Sequence, residues 1–165
     1  MTHTTLKHYL EAEVTKNGLP QKLADLITGV AETSKEISYE VSRGALAGVL
    51  GMAGTENIQG EDQKKLDVIS NRLMVEGCIA TRAVSAMASE EMDHALLVPA
   101  DKPVGPYLIC FDPLDGSSNI DINVSIGTIF SVLPSPKGAS RDITDDDFLQ
   151  SGDNQLAAGL SLIHI

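Results

Sequence analysis

The stretch Phe111-Asp112-Pro113-Leu114-Asp115-Gly116-Ser117-Ser118-Asn119 brings two carboxylates, two hydroxyls, a proline and a glycine into one short run. Pro113 removes a backbone donor and fixes φ, and Gly116 permits a conformation or close approach that a side chain would forbid. A sharp turn here would let Asp112, Asp115 and the Leu114 carbonyl face one hard cation, because magnesium takes oxygen ligands in octahedral geometry. Gly116, Ser117 and Ser118 then offer successive N–H groups and two hydroxyls, which is how a turn grips a phosphate. The blander reading is an ordinary connecting loop.

Two further acidic sets lie upstream. Ser89-Glu90-Glu91-Met92-Asp93 follows the apolar run Ala83 to Ala88, and Gly60-Glu61-Asp62 with Asp67 brackets the start of a helical pattern. On an extended chain adjacent side chains point to opposite sides, so one of Glu90 and Glu91 could ligate a metal while the other handles a water. Taken alone, Glu61 and Asp62 equally suit a helix N-terminus, and Glu90 and Glu91 a surface turn.

These residues need elements to position them. Leu6, Leu10 and Val14 predict a helix over Thr4 to Thr15. Leu23, Leu26, Ile27, Val30, Ile37 and Val41 predict a second over Pro20 to Gly44. After the glycine-dense connection Gly48 to Gly60, a third is expected over Lys64 to Ala80, stopping near Gly77. Short apolar runs at Ala83 to Ala88, Ala95 to Val98 and Tyr107 to Phe111 read as strands, and the alternation from Ile120 to Val132 as one long half-buried strand. Pro134 to Asp147 reads as an exposed connection, with Asp145, Asp146 and Asp147 as solvated loop charge. The expected class is α+β: N-terminal helices packed on a mixed, largely antiparallel and incomplete sheet in a layered domain.

Composition narrows the partners. Twelve Lys plus Arg against 23 Asp plus Glu give a net charge of -11, which argues against nucleic acid and against an anionic membrane. An anionic substrate would need a bridging cation. No apolar run is long enough for a membrane span and no leader pattern opens the chain, so a cytoplasmic protein is expected. Cys78 and Cys110 lie in apolar segments and read as buried reduced thiols. No dinucleotide glycine motif follows a strand, and Gly44 to Gly54 has no Walker lysine.

The run DPLDGSSNIDINVSIGTIF resembles the signature of the class I fructose-1,6-bisphosphatases, in a superfamily that also includes the inositol monophosphatases. Similar stretches are NIQGEDQKKLDVISN, the SEE near residue 90 and DFLQSGDNQLAAG, so the likeness runs from about Leu23 to Gly159. The resemblance implies hydrolysis of the 1-phosphate of fructose 1,6-bisphosphate, a sugar bisphosphate, with two or three Mg2+ ions. It also implies a homo-oligomer, a tetramer in the full-length form. Glu90, Asp112, Asp115 and the Leu114 carbonyl resemble the metal ligands, and Glu61, Asp67 and Glu91 the acids that position or deprotonate the attacking water. Asp115, Gly116, Ser117 and Ser118 resemble the turn that binds the cleaved phosphate.

There are departures. Leu19-Pro20-Gln21-Lys22-Leu23-Ala24 stands where AMP-inhibited members carry a Gly-Glu-Met-Thr-like turn, and the loop between Glu91 and Asp112 is one residue longer than usual. Family members continue beyond the Ala157-Ala158-Gly159 match into a strand that opens on an aromatic residue, whereas this chain reads Leu160-Ser161-Leu162-Ile163-His164-Ile165. Residues 1–159 are therefore expected to form a partial N-terminal domain and residues 160–165 a non-native tail, of a kind that a transposon-type sequencing adapter would encode. Such a chain is expected to be inactive alone. The alternatives are another sugar or inositol phosphate phosphatase of the superfamily, or a non-catalytic fragment that binds a divalent cation.

Overall fold

A computed structural model describes residues 3–47, 52–56, 62–122 and 124–163. Helix α1 spans Leu6–Asn17, where the Thr5 hydroxyl accepts the His8 N–H and the left-handed Gly18 returns its own N–H to the Glu13 carbonyl. It therefore ends later than Thr15, at the first residue able to adopt that cap. Helix α2 spans Gln21–Ala47, and the Pro20 carbonyl accepts its first bonds from Leu23 and Ala24. Leu23, Leu26, Val30, Ile37 and Val41 are buried along one stripe, as the helical spacing demands. Helix α3 spans Lys65–Ala80 and packs along α2.

Strands β1 (Met52–Glu56) and β2 (Asp62–Lys64) form an antiparallel pair before α3. The main sheet contains β3 (Val84–Ser89), β4 (Leu96–Leu97), β5 (Tyr107–Asp115), β6 (Ile126–Pro134) and β7 (Ala157–Ile163), in the order β4-β3-β5-β6-β7. Among the described residues β3 and β5 are the only parallel pair in this sheet; the others are antiparallel. One face of this sheet turns Val84, Ile109, Phe111, Ile126 and Val132 toward Leu26, Val30, Leu66 and Met74 of the helices. Ala86, Leu108 and Leu133 form a second cluster with Ile143. The expected mixed, largely antiparallel sheet under N-terminal helices is the fold observed.

Two boundaries near the site differ from the sequence reading. Strand β5 does not end at Phe111; it continues through Pro113 to Asp115, and its register with β6 shifts between Asp112 and Asp115. Proline, which has no N–H to offer a ladder, is tolerated at such an irregularity. The long strand expected from Ile120 begins instead at Ile126, because Ser117–Ile122 forms a 3-10 helix. Asn119 donates its N–H to the Gly116 carbonyl and Val124 donates to the Asn119 carbonyl, so this stretch closes on itself before it can extend. The alternation of Ile120, Ile122 and Val124 was compatible with a strand, and local hydrogen bonding decided otherwise.

Candidate active site

The site lies where the parallel pairing of β3 with β5 ends. β3 pairs with β5 as far as Ser89 opposite Phe111, and the Glu90 N–H then donates to the Phe111 carbonyl at 3.2 Å. The residue after each of these partners is an acid, Glu90 after Ser89 and Asp112 after Phe111. Parallel pairing thus brings to one place two carboxylates from distant parts of the chain, both half-buried.

Their environment marks the ionisation of Asp112. Burial, the hydrogen bond it shares with Glu90 and the negative charges of Glu90 and Asp115 push its carboxyl up to about 8, against a lowering contribution from the Leu114 N–H. That N–H reaches Asp112 Oδ1 at 2.9 Å and holds the carboxylate across the Pro113 step. Thr128 supports the same step from β6 by donating its hydroxyl to the buried Pro113 carbonyl at 3.0 Å.

Asp115 ends β5 on the exposed side, opposite Gly127 of β6, and its charge is felt at Asp112. Gly116 follows with φ +78°, the left-handed region that its lack of a side chain allows, and turns the chain into the 3-10 helix that begins at Ser117. Ser117 is half-buried and Ser118 exposed at this turn. The Leu114 side chain is buried in the main core.

Of the three residues assigned to the water, Glu91 and Asp67 are described. Glu91 is half-buried, with its N–H on the Ser89 hydroxyl at 3.2 Å, and Glu90 rather than Glu91 is the glutamate that meets Asp112. Asp67 is 3% exposed on the first turn of α3. Glu61 lies outside the described residues. Among the described residues no three His, Cys, Asp or Glu side chains form a ready metal cage.

A cleft of about 800 Å³ opens beside the carboxylate pair, lined by Glu90 and Asp112 together with Cys110, Ser131, Gln155 and the ring of Phe130. Gln155 donates to the Ser131 hydroxyl at 2.7 Å. Nothing in the spacing of Ser131 and Gln155 ties these two polar groups to the acids. Among the described residues that line the cleft there is no Lys or Arg. An anion entering it meets carboxylates and neutral groups, so its charge must be balanced from elsewhere.

Residues 3–163 match the family described as fructose-1-6-bisphosphatase, N-terminal domain. The chain belongs to this family. It is 54% identical over 153 residues to the class 1 fructose-1,6-bisphosphatase of Shewanella amazonensis, which covers 93% of this chain and 46% of the relative. Its fold is similar to the crystal structure of Leishmania major fructose-1,6-bisphosphatase in holo form, with a TM-score of 0.85 and 32% identity over 99% of this chain and 50% of that one. The apo form of the same protein gives a TM-score of 0.74 at 29% identity, over 99% and 48%. The chain thus spans about half the length of the fructose-1,6-bisphosphatases it matches. Among the described residues no helix is long and apolar enough to cross a membrane.

Proposed function

We propose that this chain contributes the metal- and phosphate-binding part of an enzyme that hydrolyses the 1-phosphate of fructose 1,6-bisphosphate to fructose 6-phosphate and phosphate. The observation that carries the reading is the meeting of Glu90 and Asp112 where the parallel pairing of β3 with β5 ends, followed directly by Asp115 and the Gly116 turn. Two carboxylates drawn together against their mutual repulsion, with oxygen donors only, match the ligand chemistry of a hard divalent cation. Glu90, Asp112, Asp115 and the Leu114 carbonyl are the residues that would hold it.

When bound, two or three Mg2+ ions would neutralise the phosphoryl oxygens and support the leaving oxygen. Around them the chain's own groups have separate tasks. The N–H groups and hydroxyls of Gly116, Ser117 and Ser118 bind and orient the phosphate to be cleaved. Glu91, with Asp67 and Glu61, holds the attacking water and accepts its proton as the new P–O bond forms and the bond to the sugar oxygen breaks. No serine need act as nucleophile. The same reading gives the whole protein a cytoplasmic location and a homo-oligomeric, tetrameric state.

Phosphate release by the protein extended to the length of its relatives tests this, with fructose 1,6-bisphosphate compared against sedoheptulose bisphosphate and inositol phosphates. Asp112→Asn and Glu90→Gln should each lower kcat by about 100-fold or more, the scale of losing one charge-stabilising group. Full turnover in either variant would remove the carboxylate pair from the mechanism, and preference for an inositol phosphate would replace the substrate. The 165-residue chain alone is expected to release no phosphate.

A further inference from the structure

The segment after β6 reads in sequence as a solvated loop with three surface acids, yet two of those acids are engaged. Asp145 Oδ1 accepts the Ala95 N–H at 2.7 Å, and its Oδ2 accepts from His94 Nδ1 at 2.9 Å. The partners are 50 and 51 positions away in sequence. The two bonds, that from Ala95 first, hold the Asp145 carboxyl below the usual carboxylate range.

The anchor is itself fixed. Ile143 is buried against Ala86, Leu108 and Leu133, and Phe148 packs on the same cluster. Asp147 accepts from Lys137 Nζ at 2.8 Å and from the Thr144 N–H at 2.7 Å, which pins the 3-10 turn Asp145–Phe148 to its own flank. Gln150 donates to the Pro134 carbonyl at 2.9 Å, tying the end of this segment back to β6. Four residues before Asp145, the Arg141 guanidinium donates to the carbonyls of Val98, Pro99 and Lys102. One rooted segment therefore straps the crossover between β3 and β5 at two points, and the nearer point lies just beyond Glu90 and Glu91.

We infer that Asp145 is a positioning residue: by clamping His94 and Ala95 it fixes the course of the chain through Glu90 and Glu91 and so the approach of Glu90 to Asp112. The clamp is a matter of geometry; its consequence for cation binding rests on the function proposed above. The Glu90 and Glu91 N–H groups, held by the Phe111 carbonyl and the Ser89 hydroxyl, lie four and three residues before His94 and serve as the probes of that course.

The test is amide hydrogen exchange at Glu90, Glu91 and Ala95 in the 165-residue chain, alongside Mn2+ binding by electron paramagnetic resonance. In Asp145→Ala all three amides should exchange about tenfold faster or more, and Mn2+ affinity should fall by about tenfold. Asp145→Asn, which keeps an oxygen to accept the Ala95 N–H, should recover the protection of Ala95 and most of the affinity. Asp146→Asn, at the neighbouring exposed acid, should change neither. His94→Ala removes one of the two bonds and should act in the same direction but more weakly, so a poorly folding Asp145→Ala leaves the question answerable. Unchanged exchange at Glu90 and Glu91 overturns the inference, as does faster exchange with unaltered Mn2+ affinity. If the unsubstituted chain binds no Mn2+, the metal reading of the site falls, and the clamp is then judged by the exchange rates and the asparagine rescue.

Discussion

At Asp112 the folded state holds a proton that the unfolded chain releases. With the carboxyl raised from 3.8 to about 8, its contribution to stability is complete below 3.8 and is lost as pH rises through the folded value. The thermal midpoint of the metal-free chain should therefore decline between about pH 4 and pH 8, and Asp112→Asn should flatten the decline. Parallel curves for the two proteins would show that the carboxylate pair is too well hydrated to matter. Cys78 is a contrasting buried group: burial alone pushes its thiol up to about 12, which leaves almost no thiolate near neutral pH. Mass spectrometry after brief treatment with a thiol reagent should find Cys110, half-exposed at the cleft, modified before Cys78. Early labelling of Cys78 would mean that α3 opens readily.

Between elements, the decisive contact is the parallel pairing of β3 with β5, because it alone aligns Glu90 with Asp112. Gly105 makes room for it. Its N–H donates to the Val84 carbonyl at 2.8 Å, and a Cβ there would stand 2.1–2.4 Å from backbone atoms of Ala83. Backbone cannot rotate aside as a side chain can. Gly105→Ala should cost about 3 kcal/mol or more, the upper end for overpacking. Gly138→Ala, where φ is +63° but the space is open, should cost only about 1 kcal/mol. Urea unfolding of the two variants gives the comparison, and equal midpoints would mean that the β3 to β5 connection yields easily. Helix α2 carries the core beneath these strands: Leu26 is fully buried, and Leu26→Ala should cost about 2–5 kcal/mol in the same assay.

For the whole molecule, the apolar surface around β7 has the largest consequence. Leu160 and Leu162 are 59% and 68% exposed, and they border a groove of about 580 Å³ shared with Leu6, Ile27 and Phe130. Among the described residues β7 pairs only with β6 and so presents an open edge. Sedimentation should detect concentration-dependent self-association of the chain, reduced by Leu160→Lys with Leu162→Lys. A monodisperse chain at high concentration would mean that this surface is harmless in water.

Periodicity alone located the three helices, because a stripe such as Leu23, Leu26, Val30, Ile37 and Val41 has one way to be buried. The apolar runs marked the strands less sharply: nothing in them showed that β5 continues through Pro113 to Asp115 or that Ser117–Ile122 closes into a 3-10 helix before β6. What the chain could not display in one dimension was partnership. Nothing in the spacing of Glu90, Asp112 and Asp145 says that the first two share a hydrogen bond or that the third ties down His94 and Ala95. Those contacts join positions tens of residues apart, and only the packing of strands, crossover and loop into one tertiary structure brings such groups within bonding distance.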